Sequence, residues 1–132
     1  MKVTLDSNAL VRLATQDDPG QAAAAWQALR HATLIAVPTP ALFGLVWVLL
    51  RGFRCAPDQV AHALRVLLQT RHVVCDTAAV LAGLALLEGG DFADGAIARQ
   101  GAALGGNEFL SFDRQAVTLL QRHKHKARLL AA

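Results

Sequence analysis

Five short runs of β-branched and apolar residues, separated by stretches with helical spacing, restrict this chain more than any other feature. They are Lys2 to Leu5, Thr33 to Val37, His72 to Cys75, Phe109 to Phe112 and, as an edge strand, Ala127 to Leu130. The second run, T-L-I-A-V, has no polar alternation, the mark of a strand covered on both faces in a parallel sheet. Between the runs the periodicity changes. Leu10, Val11, Leu13 and Ala14 follow helical spacing after Ser7. Asp18-Pro19 supplies a cap and a first residue for a helix through Trp26 to about Arg30, and Thr39-Pro40 opens another that ends near Gly52. Further helices are expected from Pro57 to Gln69, Ala78 to Glu88, Asp91 to Ala103 and, briefly, from Asp113. Gly89-Gly90 breaks the chain between two of them. Strands alternating with helices give an α/β fold, with a mainly parallel central sheet flanked by helices. The 132 residues contain no linker, repeat or low-complexity stretch, so a single domain over residues 1–132 is expected.

The hydrophobic fraction is 54%, high enough to expect part of the surface to be covered by a partner or a second copy. Trp26 and Trp47 are nonetheless expected in the core. No apolar stretch reaches the roughly 18 residues of a membrane span, and Arg51 closes the longest candidate, Ala41 to Leu50. The opening Met1-Lys2, running straight into a β-like segment, carries no pattern of a signal peptide. Cys55 and Cys75 lack metal-type spacing and are expected as buried free thiols in a reducing cytoplasm. The formal charge of +3 leans toward a polyanionic partner, and the cations crowd at Arg122, Lys124, Lys126 and Arg128.

Function in an open parallel sheet collects at the carboxyl ends of the strands. Asp6 ends the first run and Asp113 the fourth, while Asp91 and Asp94 fall three apart on the first turn of one helix. Carboxylates gathered in this way repel one another unless a cation compensates. Hard oxygen donors suit Mg²⁺ or Mn²⁺ rather than zinc, and such ions hydrolyse phosphodiesters. Each aspartate also has a plainer role as a helix cap or turn residue, above all Asp91. Asp17, Asp18, Asp58 and Asp76 are assigned only to capping. His123 and His125 have the wrong spacing for a zinc pair. An aspartate-based phosphotransferase would need an acid where Asn8 stands and a downstream lysine, yet no lysine lies between Lys2 and Lys124.

Taken together, five stretches resemble the PIN-domain family, in particular the VapC-like toxins of toxin–antitoxin pairs. They are L-D-S-N-A-L-V-R-L from Leu5, D-D-P from Asp17, P-T-P-A-L-F-G-L-V-W-V-L from Pro38, G-D-F-A-D-G-A-I-A from Gly90 and F-L-S-F-D-R from Phe109. The resemblance implies a PIN-like three-layer sandwich and a cytoplasmic Mg²⁺- or Mn²⁺-dependent ribonuclease. Its implied partners are RNA, a second copy of the chain and a cognate antitoxin, with no membrane. It assigns catalysis and metal binding to Asp6, Asp94 and Asp113, an additional metal ligand to Asp91, and supporting roles to Asn8 and Ser111. One position departs. Where the family carries a glutamate before the L-V-W-V-L run, this chain has Gly44. Glycine inside a helix costs about 1 kcal/mol relative to alanine, so local stability does not account for it. Glu108 is the nearest substitute acid, but it precedes its strand. The expectation is a ribonuclease with a weakened site, or else a module that binds RNA or antitoxin without cutting. For the RNA backbone, the candidate contacts are Arg12, Arg51, Arg54 and Arg114.

Overall fold

The computed structural model describes residues 1–131, which fall into two compact units, one of Met1–Asp76 and one that begins at Thr77. The first unit contains β1 (Lys2–Thr4), α1 (Ser7–Thr15), α2 (Pro19–Leu29), β2 (Leu34–Ala36), α3 (Thr39–Trp47), α4 (Pro57–Gln69) and β3 (Val73–Val74). The strands form a parallel sheet in the order β1-β2-β3, with Val3 opposite Ile35 and Ile35 opposite Val73. Helical connections between neighbouring parallel strands are what that geometry requires.

Local sequence fixes the ends of these helices. Asp6 accepts a hydrogen bond from the Ala9 amide at 2.9 Å, and Asp18 accepts one from Gln21 at 3.1 Å with Pro19 at the first helical position. At α4 the Gln59 side chain accepts from the Ala56 amide, while Asp58 lies inside the first turn. Asp17 is not a cap: it pairs with Arg12 at 3.2 Å and accepts from the Thr15 hydroxyl. Helix α3 passes into a π-helical turn, Val48–Gly52. Ile35, Val37, Leu42, Leu45, Leu49, Val60 and Leu64 are buried.

The second unit contains α5 (Thr77–Leu86), a 3₁₀ turn at Leu87–Gly89, α6 (Phe92–Ala103), β4 (Phe109–Ser111), α7 (Arg114–Arg122) and β5 (Ala127–Leu129). Its core joins Leu86 to Val117, Leu120 and Ala127. Strand β5 pairs in parallel with β4, Leu110 opposite Arg128. The hydrogen bonding therefore gives two small parallel sheets, of three and two strands, where one central sheet was expected. The α/β class with parallel sheets and flanking helices stands.

Two expectations fail. Trp26 and Trp47 are 51% and 64% exposed, not core. Along α2 only Ala22 is buried, so Trp26 is left at the wall of an apolar cleft with Leu10, Leu13, Leu29 and Val66. Cys55 and Cys75 form no disulfide, as expected, but they are only partly buried. Among the described residues no helix is long and apolar enough to cross a membrane.

Candidate metal centre

Three of the anticipated carboxylates meet in the second unit. Asp91, Asp94 and Asp113 each offer an oxygen within 4.8 Å of the others. The chain is held to this arrangement by glycines. Gly90 takes a left-handed conformation (φ +85°) after the 3₁₀ turn and turns the chain into Asp91. Gly89 lies so close to α7 that a β-carbon there would strike the Leu119 side chain, and its carbonyl accepts a hydrogen bond from the Gln115 side-chain amide. The corner before Asp91 is thus fastened to the helix that starts at Asp113.

Asp94 is positioned by a second close approach. A β-carbon on its neighbour Gly95 would lie 2.9 Å from Gly83 Cα and nearer still to the Ala82 carbonyl, so α6 rests on α5 backbone against backbone. One at Gly83 would be 2.7 Å from the Phe92 ring. The small residues at 83 and 95 therefore set the depth of the α5–α6 contact and with it the height of the Asp94 carboxylate.

The three acids are not equivalent. Asp113 caps α7: its Oδ1 accepts from the amides of Gln115 at 3.0 Å and Ala116 at 3.2 Å. Its own amide donates to the Ser111 hydroxyl at 2.9 Å, so Ser111 supports the Asp113 turn. Asp91 occupies the cap position of α6 yet makes no side-chain capping bond. Its Oδ2 is buried and has no hydrogen-bond partner among the described residues. Burial, first, and then the charges of Asp94 and Asp113 raise its pKa. Burial, first, and then the Asp113 charge also raise the pKa of Asp94.

A buried anionic oxygen without a donor is costly, and it is rare in folded proteins. Among simple species a proton or a hard cation satisfies it, and a set of three carboxylates fits Mg²⁺ or Mn²⁺. These residues therefore fit such an ion.

Asp6, Asn8 and Gly44 lie in the first unit. Asp6 commits one oxygen to capping α1 and borders two surface clefts, one shared with Asn8 and Arg12, the other with Pro38 and Ala41. Asn8 is exposed. Gly44 sits in α3 opposite the start of α1. A β-carbon on it would lie 2.7 Å from Ser7 Cβ and closer to Ser7 Oγ, which itself donates to the Ala41 carbonyl at 2.9 Å. Close packing of α1 on α3 thus explains the glycine that local helix stability left unexplained. Glu108 is engaged by Arg128 at 3.2 Å and is no part of the cluster. Sequence reasoning missed Ser7, whose only signal was its place beside Asp6, and Phe53, which shares a cleft with Asp6. Comparison with protein-family models and with curated proteins gives no match.

Proposed function

We propose that this chain is a PIN-like, Mg²⁺- or Mn²⁺-dependent ribonuclease of the antitoxin-controlled kind, with a site weakened at Gly44. The observation that carries the reading is the buried, unpartnered Asp91 Oδ2 inside a group of three carboxylates. Asp94, Asp113 and Asp91 would hold the ion. When bound, it would neutralise charge on a scissile phosphate and lower the pKa of a water. The protein's own part is positional. The Gln115 and Ala116 amides fix one oxygen of Asp113 and leave the other for a ligand, Ser111 steadies the turn, and the α5–α6 contact holds Asp94. Asp6 enters through the family resemblance, which places it beside a metal, and its role is tested separately. The antitoxin, the second copy and a cytoplasmic setting come from the same resemblance. Exposed Trp26 and Trp47 support a covered surface.

The second reading is a binding module that holds RNA or antitoxin without cutting. The close fit of Gly44 to Ser7 favours it, since there is no room for a carboxylate at position 44 unless Ser7 gives way. The test is cleavage of labelled RNA in Mn²⁺ by the native chain, Asp94→Asn, Asp6→Asn and the double variant Ser7→Gly/Gly44→Glu. The ribonuclease reading expects cleavage that either Asn variant abolishes and the double variant raises. Cleavage that survives Asp94→Asn sinks it. RNA binding with no cleavage by any variant establishes the module instead.

A further inference from the structure

The cleft beside Asp6 is chemically mixed in a way that catalysis by carboxylates does not call for. It measures about 530 Å³ and is bordered by Asp6, Asn8, Arg12, Val48 and Phe53, a size within the range of small-ligand sites. Phe53 is 41% exposed, an aromatic ring at a cleft where Asp6, Asn8 and Arg12 meet the apolar Val11 and Val48. Its position is set by the backbone. The π-helical turn Val48–Gly52 ends at Phe53, whose amide donates to the Val48 carbonyl at 3.0 Å, and the next residue, Arg54, has a left-handed φ of 53°. A π turn and a left-handed non-glycine residue are both unfavourable local choices. Here they follow one another around the ring.

The polar groups nearby are partly uncommitted. Arg51 and Arg54, on either side of the ring in sequence, are exposed and form no ion pair among the described residues. Arg12 is held through Nε by Gln21 at 2.6 Å and through Nη1 by Asp17 at 3.2 Å, while Nη2 has no hydrogen bond among the described residues. The Asn8 side-chain amide is likewise unpaired among them, and it offers both a donor and an acceptor. An aromatic face, the lining cation Arg12 and an amide suit an unpaired base with its phosphate. Arg51 and Arg54, next to the ring in sequence though not in the cleft lining, add positive charge. Single-stranded nucleic acids are held in this manner, by stacking on aromatics and by cations along the backbone. A purely apolar protein segment would leave the Asn8 amide and Arg12 Nη2 without partners.

We infer that this cleft is a nucleobase subsite, in which a base of single-stranded RNA stacks on Phe53, Asn8 meets its edge, and Arg51 and Arg54 contact adjacent phosphates. The inference rests on the ribonuclease reading for its choice of RNA, but binding at the cleft needs neither metal nor cleavage.

The test is fluorescence anisotropy in EDTA with a labelled single-stranded RNA of about eight nucleotides, and with an abasic strand of the same length. Phe53→Ala is expected to weaken binding of the base-bearing strand roughly tenfold and to leave the abasic strand unchanged. Phe53→Trp is expected to restore affinity. Phe53→Leu keeps an apolar side chain and should show the same selective loss, so the test survives if the alanine variant misfolds. Joint replacement of Arg51 and Arg54 by alanine should flatten the dependence of log affinity on log salt by about 0.7 for each phosphate that is no longer neutralised. Unchanged affinity of both Phe53→Ala and Phe53→Leu for the base-bearing strand overturns the subsite, as does an equal loss on the abasic strand. Mn²⁺ calorimetry on the native chain keeps the two proposals apart. Base-selective binding without Mn²⁺ uptake would remove the nuclease reading and leave the subsite standing.

Discussion

The Asp91–Asp94–Asp113 corner and the Asp6–Gly44 region both carry aspartates at the ends of strands or the starts of helices, yet they solve opposite problems. In the first, three carboxylates are pressed together and one buried oxygen is left without a donor. In the second, Asp6 caps α1, Ser7 bonds the Ala41 carbonyl, and Gly44 fills the remaining space by having no side chain. The first region is locally frustrated, whereas the Ser7–Gly44 contact of the second is locally satisfied. Such frustration is what a bound cation would relieve, whereas satisfaction marks packing, even at Gly44, where the family resemblance alone would place a ligand.

The comparison breaks most severely at Gly95. A methyl group there meets α5 backbone rather than a movable side chain. Gly95→Ala is expected to destabilise the protein by about 3 kcal/mol in denaturant unfolding and to weaken metal binding with it. A cost below about 0.5 kcal/mol would mean that the α5–α6 contact does not set the height of Asp94.

A smaller effect is expected in the satisfied region. Gly44→Ala should cost about 2 kcal/mol, and adding Ser7→Gly should recover at least about 0.5 kcal/mol of coupling. Additive changes in this double-mutant cycle would remove the packing explanation for Gly44 and return the position to a simple loss of a ligand.

The smallest effect belongs to acid titration. Asp91 and Asp94 have pKa values raised by folding, so they favour the folded state fully at pH below the ordinary carboxylate range. That contribution is lost as pH rises through their raised values. In EDTA the unfolding free energy should therefore fall slightly across this window, by an amount that solvent screening keeps under about 1 kcal/mol. Asp91→Asn should flatten the slope, and Mn²⁺ should reverse its sign in the native chain. An unchanged slope in Asp91→Asn would show that the crowding is not energetic.

Much of the fold could be read in advance because its signals are local. Asp18-Pro19, Thr39-Pro40 and Pro57 start helices where they stand, and Thr33 to Val37 is apolar enough to be strand β2 in any context. The pairing of Asp94 with Asp113 was also legible, from their places on a first helical turn and beyond a strand. Asp6 was expected as the third acid, but Asp91 is the one that meets them. What could not be read depends on contact across the chain. Gly44 appeared as a missing ligand because its neighbour, Ser7, is 37 positions away in sequence. Asp91 looked like an ordinary cap, since sequence does not reveal that its side chain turns from the helix amides toward two other acids. Trp26 and Trp47 looked like core because their size argues for burial, whereas α2 packs through Ala22. The division of the strands into two sheets depends on hydrogen bonds between runs only two or three residues long, too short for their pairing to be specified by pattern.

The central claim is that the frustrated corner is a divalent-cation site, and calorimetric titration of the native chain with Mn²⁺ addresses it most directly. The expected result is saturable binding that weakens as pH falls into the carboxylate range, is abolished by Asp94→Asn and is retained by Gly44→Ala. Absence of saturable Mn²⁺ binding in the native chain, or binding that Asp94→Asn leaves intact, would contradict it.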